Sequence, residues 1–377
     1  MDQNLQDQAW MRQAIELSRS VLYVTSPNPR VGCVIMRDGQ VLASGATQRA
    51  GGPHAEAVAL RQAAQAGIDV SGATLYVTLE PCSHHGRTPP CADAIIEAGI
   101  GRVVVALKDP NPLVGGQGMA RLRQAGIETQ SDVCAEEALE VNPGFMSRMT
   151  SGMPWVWLKT AISLDGRVAL PNGQSQWITS QLARDDSHHW RARSCMVLTG
   201  IGTLLGDDPS LTARAVPTER QPVRAVVDTR FRIPETARLL DGGPVIVFTA
   251  SDDPAKAERL ARRNVRVVRI SERNGRVDLA EMMRWIGQNA FNEVHVESGG
   301  RLAGALQQAG LLDELLVYMA PILLGSGLPL AALPQLETLS QACRYEFIEH
   351  AQVGADMRLR LRSAERWQAL RQAVLGS

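Results

Sequence analysis

The sequence has no surplus of charge of one sign: of its 377 residues, Lys plus Arg and Asp plus Glu each number 39. A nucleic-acid binder normally carries a basic surplus that neutralises phosphates, so we expect no nucleic-acid partner. No run of about 18 apolar residues occurs, and no basic segment followed by an apolar one opens the sequence. We therefore expect neither a membrane span nor a secretory signal.

Cysteine is scarce as well. Six cysteines are too few for a disulfide framework in a chain of this length, so we predict a protein of a reducing compartment, the cytoplasm. Apolar residues make up 45%, enough for ordinary cores, and the length predicts two domains. The Gly- and Pro-containing segment 150–154 is the expected linker, which gives domains over 1–149 and 150–377.

Hydrophobic periodicity predicts that both domains are α/β. In the first, helices are predicted over 5–22, 54–66, 91–98, 119–125 and 135–148, and strands over 31–36, 41–44, 73–79, 102–107 and 127–132. In the second, strands are predicted over 155–162, 195–199, 223–228, 244–249, 265–269, 293–297, 313–319, 344–349 and 356–361, before a tail helix over 364–375.

The first domain carries the ligand set of a catalytic zinc site: His54, Cys82 and Cys91. Three protein ligands leave a fourth position for water, whose pKa the metal lowers to ~7. Glu56 can take the proton of that water and pass it to a ring nitrogen and a leaving amine. Both cysteines are expected at helix starts, where free N–H groups favour thiolates. This His-x-Glu and Pro-Cys pairing marks zinc nucleobase deaminases.

Two adjacent histidines between the cysteines, His84 and His85, leave an alternative open. We expect them to contact substrate or to lie in a solvated loop. If one supplied a fourth ligand, the zinc would be structural and the domain a scaffold. A different enzymatic hypothesis is an RNA or nucleoside deaminase with an appended binding domain.

The second domain contains a candidate anion site after the predicted strand 293–297, where Gly299 and Gly300 precede a helix. Backbone can approach a pyrophosphate closely there, and the helix start offers free N–H groups. The alternative is a plain strand-to-helix turn. A glycine trio within 200–206 is a weak dinucleotide fingerprint, because its third glycine comes one place late.

The eight residues between the cysteines, in PCSHHGRTPPC, distinguish this chain from nucleic-acid and nucleoside deaminases, which usually place two residues there. With NPRVG at 28–32 and DPNP at 109–112, this segment resembles the deaminase domain of the bifunctional riboflavin-biosynthesis enzymes. Segments 159–166, 200–214, 297–302 and 320–327 resemble the reductase domain of that family. The resemblance implies an N-terminal cytidine-deaminase-like three-layer domain followed by a dihydrofolate-reductase-like domain.

The resemblance also implies two reactions on a phosphoribosyl pyrimidine. The first is hydrolytic deamination of 2,5-diamino-6-ribosylamino-4(3H)-pyrimidinone 5′-phosphate. The second is reduction by NADPH of the ribosyl group of 5-amino-6-(5-phosphoribosylamino)uracil to ribityl. Zn²⁺, one per chain, and NADPH are the implied cofactors. We further expect a homo-oligomer, a dimer or tetramer, because sheet edges must be covered.

Carried over by position, the resemblance assigns roles to individual residues. It implies that NADPH contacts Ala161, Trp177, Thr203, Asp207, Thr229, Gly299, Gly300, Arg301 and Leu302. It implies that substrate contacts Asn28, Asp109, Asn111, Lys159, Asp165, Ser175, Arg191, Leu211, Arg214 and Glu297. Arg191 and Arg214 suit the 5′-phosphate, because guanidinium pairs well with phosphate oxygens. Asp165 is equally consistent with capping a turn, and Asn28, Asp109 and Asn111 with ordinary turn chemistry.

Overall fold

The computed structural model of the chain describes residues 2–83, 90–111 and 115–376. It divides into two compact units, Met1–Ser151 together with Leu370–Ser377, and Gly152–Ala369. The last residues of the chain join the first unit because Leu370 is buried and Arg371 pairs with Glu136. The predicted single boundary near residue 150 therefore does not account for the residues from Leu370 onward, which belong to the first unit.

The first unit is built on a five-stranded sheet. Its strands are β1 (Gly32–Arg37), β2 (Gln40–Ala46), β3 (Thr74–Leu79), β4 (Arg102–Leu107) and β5 (Glu128–Gln130). Its helices are α1 (Gln3–Ser20), α2 (Ala55–Gln65), α3 (Cys91–Glu97), α4 (Gln117–Gln124), α5 (Ala135–Leu139) and α6 (Pro143–Ser151). The strand order is β2-β1-β3-β4-β5, with β1 antiparallel to both neighbours and β3, β4 and β5 parallel.

Helices cover both faces of this sheet, as two glycines show. A Cβ added to Gly32 would overlap the carbonyl of Ala14 in α1. The next residue, Cys33, pairs with Gly45, where an added Cβ would overlap the carbonyl of Ala55 in α2. Because neighbouring residues of a strand face opposite sides, α1 and α2 lie on opposite faces, which makes three layers.

The predicted helix over 135–148 is wrong, because the chain forms two helices there. α5 ends at Leu139, and α6 begins at Pro143, which has no N–H to continue a helix. Between them, the side chain of Asn142 bonds both the N–H and the carbonyl of Arg30, at 2.8 and 2.7 Å. This long-range contact replaces the helical bonds that the sequence pattern had suggested.

The second unit is built on a nine-stranded sheet. Its strands, with those of two small two-stranded sheets, are β6 (Trp155–Ser163), β7 (Arg167–Ala169), β8 (Met196–Gly200), β9 (Val223–Val227), β10 (Val245–Thr249), β11 (Val265–Arg269), β12 (Glu272–Arg273), β13 (Arg276–Val277), β14 (Glu293–Glu297), β15 (Glu314–Ala320), β16 (Leu328–Pro329), β17 (Tyr345–Val353) and β18 (Asp356–Ser363). Its helices are α7 (Gln181–Arg193), α8 (Ile201–Asp207), α9 (Pro254–Ala261), α10 (Leu279–Gln288), α11 (Gly300–Gln308) and α12 (Ala364–Leu375), the last of which belongs to the first unit from Leu370 onward.

The large sheet is parallel except at one edge. Its order is β11-β10-β9-β8-β14-β6-β15-β18-β17, and only β18 and β17 are antiparallel to their neighbours. Alternate residues of the parallel strands enter two separate apolar clusters; Val197, Val226 and Val247 lie in one, and Leu198, Ala225 and Phe248 in the other. Burial on both faces explains the continuous apolar runs that predicted these strands.

The α/β architecture predicted from periodicity is therefore confirmed. Within the described ranges, no helix has both the length and the apolar character needed to cross a membrane.

Candidate active sites

The three expected metal ligands of the first unit come together. His54 Nδ1 lies 3.6 Å from Cys82 Sγ and 3.4 Å from Cys91 Sγ, and the three ligand atoms all lie within 4.8 Å of one another. Tetrahedral zinc with Zn–S near ~2.3 Å and Zn–N near ~2.0 Å requires N···S separations of about 3.5 Å. The geometry therefore fits a zinc ion with three protein ligands.

Two of the three ligands stand at helix starts. His54 is the N-cap residue of α2, and Cys91 is the first residue of α3, as expected. The predicted helix start at Cys82 is wrong, because this residue lies in the loop after β3. It still receives a helix-start N–H, since the amide of Cys91 donates to Cys82 Sγ at 3.4 Å. His84 and His85 lie outside the described residues.

Glu56 lies in the first turn of α2 beside these ligands. Its side chain is buried, only 3% exposed, and burial raises the pKa of the carboxyl to about 7. A carboxyl that titrates near the working pH can both accept a proton and return it. The position and the pKa of Glu56 therefore suit a proton carrier next to the zinc ligands.

Glu80, at the end of β3, is a residue that the sequence analysis missed. Its buried carboxylate accepts backbone N–H groups of Asp109 at 3.2 Å, Gly116 at 2.9 Å and Met119 at 3.1 Å. It therefore fastens the segment after β4 to the strand that leads to Cys82. The sequence shows only an acidic residue between an apolar strand and Pro81, and this pattern does not reveal its backbone partners.

The expected pyrimidine contacts of the first unit lie in turns. The N–H of Asn111 donates to Asp109 Oδ1 at 2.9 Å, and the N–H of Asn28 donates to the carbonyl of Thr25 at 2.9 Å. These contacts agree with the turn chemistry that the sequence left open. Pro112 lies outside the described residues.

In the second unit, a charged cluster stands at the carboxyl end of β14. Arg191 donates to Glu297 through Nε and, at 2.9 Å, through Nη2, while its Nη1 donates to the carbonyl of Thr212 at 2.9 Å. Buried His295 places Nε2 3.3 Å from Glu297 Oε1. Burial alone would raise the pKa of Glu297, but Arg191 holds it well below its usual range. Glu297 is therefore a fixed anion.

Lys159 joins this cluster from the neighbouring strand, since it pairs with Glu297 in the register of β6 and β14. Burial lowers its pKa, and the charge of Glu297 opposes that shift. The Lys159 ammonium also lies 5.6 Å from the centre of the Tyr318 ring. A lysine of lowered pKa beside a carboxylate can bind a polar substrate and exchange a proton with it.

The segment after β14 was expected to bind the cofactor phosphates. Gly299 is the N-cap of α11, with no side chain bonding the helix start, and its N–H donates to Thr203 Oγ1 at 3.1 Å. Thr203 and Gly299, two expected NADPH contacts, are thus adjacent. Gly300 has another reason for being glycine, because an added Cβ would lie 2.6 Å from the carbonyl of Pro329.

The remaining expected residues are spread over the unit. Asp165 accepts from Ser163, from Leu324 N at 3.1 Å and from Gly325 N at 2.7 Å, contacts that favour its turn-capping alternative. Trp177 is 68% exposed, with the Arg184 guanidinium 4.3 Å from its ring centre.

The other residues expected to contact NADPH or substrate lie in several elements of the second unit. Ala161 lies in β6 opposite Tyr318, Ser175 in a loop, Asp207 at the end of α8, and Thr229 beside Val277, whose N–H donates to Thr229 Oγ1 at 3.3 Å. Arg301 and Leu302 lie in the first turn of α11, Leu211 is buried, and Arg214 Nη1 donates to Thr212 Oγ1 at 3.1 Å.

Comparison with known proteins matches both halves of the chain. The model of the RibD C-terminal domain matches residues 154–359, and that of the cytidine and deoxycytidylate deaminase zinc-binding region matches residues 4–107. The riboflavin biosynthesis protein RibD of Escherichia coli (strain K12) is 45% identical, over 95% of this chain and 99% of that protein. The RibD of Haemophilus influenzae is 42% identical, over 94% and 96% respectively.

The chain belongs to the RibD family.

Solved structures agree along the full length. The RibD of Acinetobacter baumannii superimposes with a TM-score of 0.87 at 42% identity, covering 96% of this chain and 99% of that one. A diaminohydroxyphosphoribosylaminopyrimidine deaminase/5-amino-6-(5-phosphoribosylamino)uracil reductase from Thermotoga maritima gives 0.85 at 33% identity, with coverage of 96% and 99%. The predicted fold, cytidine-deaminase-like and then dihydrofolate-reductase-like, is confirmed.

Membership of the RibD family confirms the predicted class of function. The protein is a bifunctional enzyme of riboflavin biosynthesis with a deaminase and a reductase activity, and its cofactors are zinc and NADPH. It acts on small molecules. The alternative of an RNA or nucleoside deaminase with an appended binding domain is not favoured.

Proposed function

We propose that the first unit deaminates 2,5-diamino-6-ribosylamino-4(3H)-pyrimidinone 5′-phosphate and that the second unit reduces the ribosyl group of 5-amino-6-(5-phosphoribosylamino)uracil. The cluster of His54, Cys82 and Cys91 beside buried Glu56 supports this proposal most directly. Segment 1–149 serves as the deaminase domain and 150–377 as the reductase domain, with the final residues packed on the former.

In the deaminase site, His54, Cys82 and Cys91 would hold one zinc ion, which would supply a water of lowered pKa when bound. Glu56 is placed to carry two protons in turn. The first would go from the water to a ring nitrogen of the pyrimidine, and the second from the new ring hydroxyl to the amine, which would leave as ammonia. Asn28 and the 109–111 turn contact the substrate. Glu80 holds this turn in place through the backbone of Asp109.

In the reductase site, the protein binds and orients rather than attacking, because NADPH supplies the hydride. Lys159 and Glu297 bind the opened sugar, together with Ser175, and Asp165 steadies the adjoining turn. Arg191 keeps Glu297 ionised and anchors the carbonyl of Thr212.

The phosphate end of the substrate lies against segment 210–214, where Arg214 is the cation and Leu211 lines the site. NADPH lies against the starts of α8 and α11. Its proposed contacts are Ala161, Trp177, Thr203, Asp207, Thr229, Gly299, Gly300, Arg301 and Leu302. The uncapped start of α11 supports this placement, because its free N–H groups attract phosphate.

The enzyme is further proposed to act in the cytoplasm, on free small molecules and not on nucleic acid or at a membrane. None of the six cysteines, all of which lie within the described residues, forms a disulfide, and this suits a reducing compartment. A homo-oligomer, a dimer or tetramer, is proposed because the outer strand β17 leaves Phe347 68% exposed. Leu339, in the helical turn that precedes β17 in the sequence, is 87% exposed.

Isotope transfer tests the proposed reductase chemistry. With the deaminated substrate and NADPH deuterated at the transferable C4 position, the product should gain one deuterium at C1′ of the ribityl chain, located by mass spectrometry and NMR. Product without deuterium at C1′, or oxidation of NADPH without a ribityl product, would contradict the proposal.

A further inference from the structure

Two side chains of α7 hold the segment 210–214. Arg191 Nη1 donates to the carbonyl of Thr212 at 2.9 Å, and His188 Nδ1 accepts the backbone N–H of Arg214 at 3.0 Å. His188 and Arg191 stand three positions apart, so they share one face of the helix. His188 is buried, only 7% exposed, and no role has yet been given to it.

The segment is held closely along its whole backbone. The side chain of Gln221 bonds both the N–H and the carbonyl of Ala213, each at 2.8 Å. Leu211 has a φ of 53°, a left-handed conformation that a leucine adopts only when its surroundings impose it. The contacts from Arg191, His188 and Gln221 therefore fix a backbone that would otherwise relax.

The contact with Arg214 also sets the protonation of the imidazole. Because a backbone N–H only donates, Nδ1 must be unprotonated and the ring proton must sit on Nε2. Burial lowers the pKa of His188, and the positive charges of Arg191 and Arg214 lower it further. The negative charges of Glu297 and Asp185 oppose this shift, and the resulting pKa is about 4. His188 is therefore a neutral acceptor throughout the physiological range.

We infer that His188 is a positioning residue for the substrate phosphate: it fixes the backbone of Arg214, so that the exposed guanidinium stands where the phosphate binds. The side chain of Arg214 is steadied in turn by Ser210 Oγ and Thr212 Oγ1, both within the same segment. This inference rests on the proposed reductase function and on the place of Arg214 in it.

Steady-state reduction of the deaminated substrate by the full chain tests the inference. His188→Leu leaves the Arg214 N–H without its acceptor, so KM for this substrate should rise roughly 10- to 100-fold, while kcat and the KM for NADPH stay nearly constant. His188→Asn should restore most of the loss, because its Oδ1 can stand where Nδ1 stood. His189→Leu, at the exposed neighbouring position, is the matched control.

The Arg214→Met variant distinguishes an error in the proposed phosphate contact from an error in the role of His188. If this variant leaves the substrate KM unchanged, the proposed phosphate contact is wrong and the inference falls with it. If Arg214→Met raises KM but His188→Leu does not, the proposed function stands and the role of His188 is overturned. In the double variant, His188→Leu should add little, because it acts through Arg214; full additivity would also contradict the inference.

Discussion

Glu56 is the residue on which deamination is expected to depend most. Glu56→Gln keeps the shape and the zinc ligands but cannot accept a proton, so ammonia release should fall at least about 100-fold. Zinc content and reductase turnover should stay unchanged. Glu97→Gln, an exposed carboxylate at the end of α3, is the control. Deamination by Glu56→Gln at nearly the wild-type rate would remove this residue from the mechanism.

Glu297 combines a binding role with a structural one. Glu297→Gln removes the charge that balances buried Arg191, and breaking a buried pair costs up to about 3–5 kcal/mol of unfolding free energy. We expect a lower thermal midpoint and a reduced reductase kcat/KM, with deamination unaffected. Exposed Glu272→Gln on β12 should change neither quantity. An unaltered midpoint with full reductase activity would show that the pair matters neither for folding nor for substrate.

Residue-scale prediction from the sequence succeeded where spacing carries the chemistry. The zinc ligands could be found because the His-x-Glu segment at His54 and the Pro-Cys segment at Cys82, followed by Cys91, form a pattern typical of zinc deaminases. Glu80 and His188 could not be found, because their partners are backbone N–H groups of distant segments. No side-chain pattern records such contacts.

At the scale of elements, the packing of α2 against β2 sets the position of the zinc ligand His54 and of Glu56. A Cβ added to Gly45 would overlap the carbonyl of Ala55 and would lie 2.7 Å from the amide nitrogen of Ala59. Both residues belong to α2, the helix that carries Glu56 in its first turn. Gly45→Ala should push α2 away, at a cost of about 1–3 kcal/mol, and lower both zinc affinity and deamination.

Ala64→Ser, which adds one atom on the exposed side of the same helix, serves as its control. Metal titration and ammonia release measure the effect, and reductase turnover reports whether the second unit is intact. Unchanged zinc affinity in Gly45→Ala would show that the helix tolerates displacement.

Elements with strong periodicity could be predicted, and irregular ones could not. The parallel strands of the second unit could be predicted from continuous apolar runs, because both of their faces are buried. The break between α5 and α6 depends on the Asn142 contacts with Arg30, which lies over a hundred residues earlier. The strands of the two small sheets, β7, β12, β13 and β16, are too short to show a period.

At the scale of the whole molecule, β17 is the edge through which we expect copies of the chain to associate. Phe347→Glu introduces a charge at an exposed apolar position, so light scattering should show a shift towards monomer. Leu5→Glu, at an exposed leucine of α1, is the control and should not change the mass. A wild-type chain that is monomeric at micromolar concentration would contradict the proposed assembly.

We propose that one chain deaminates its substrate first and reduces the product second. Zinc content, ammonia release and NADPH oxidation should be measured together on the wild-type enzyme with the diaminopyrimidine ribosyl phosphate. We predict one zinc per chain, ammonia release without NADPH, and NADPH oxidation only once the deaminated product is present. Zinc without ammonia release, or NADPH oxidation that precedes it, would contradict the claim.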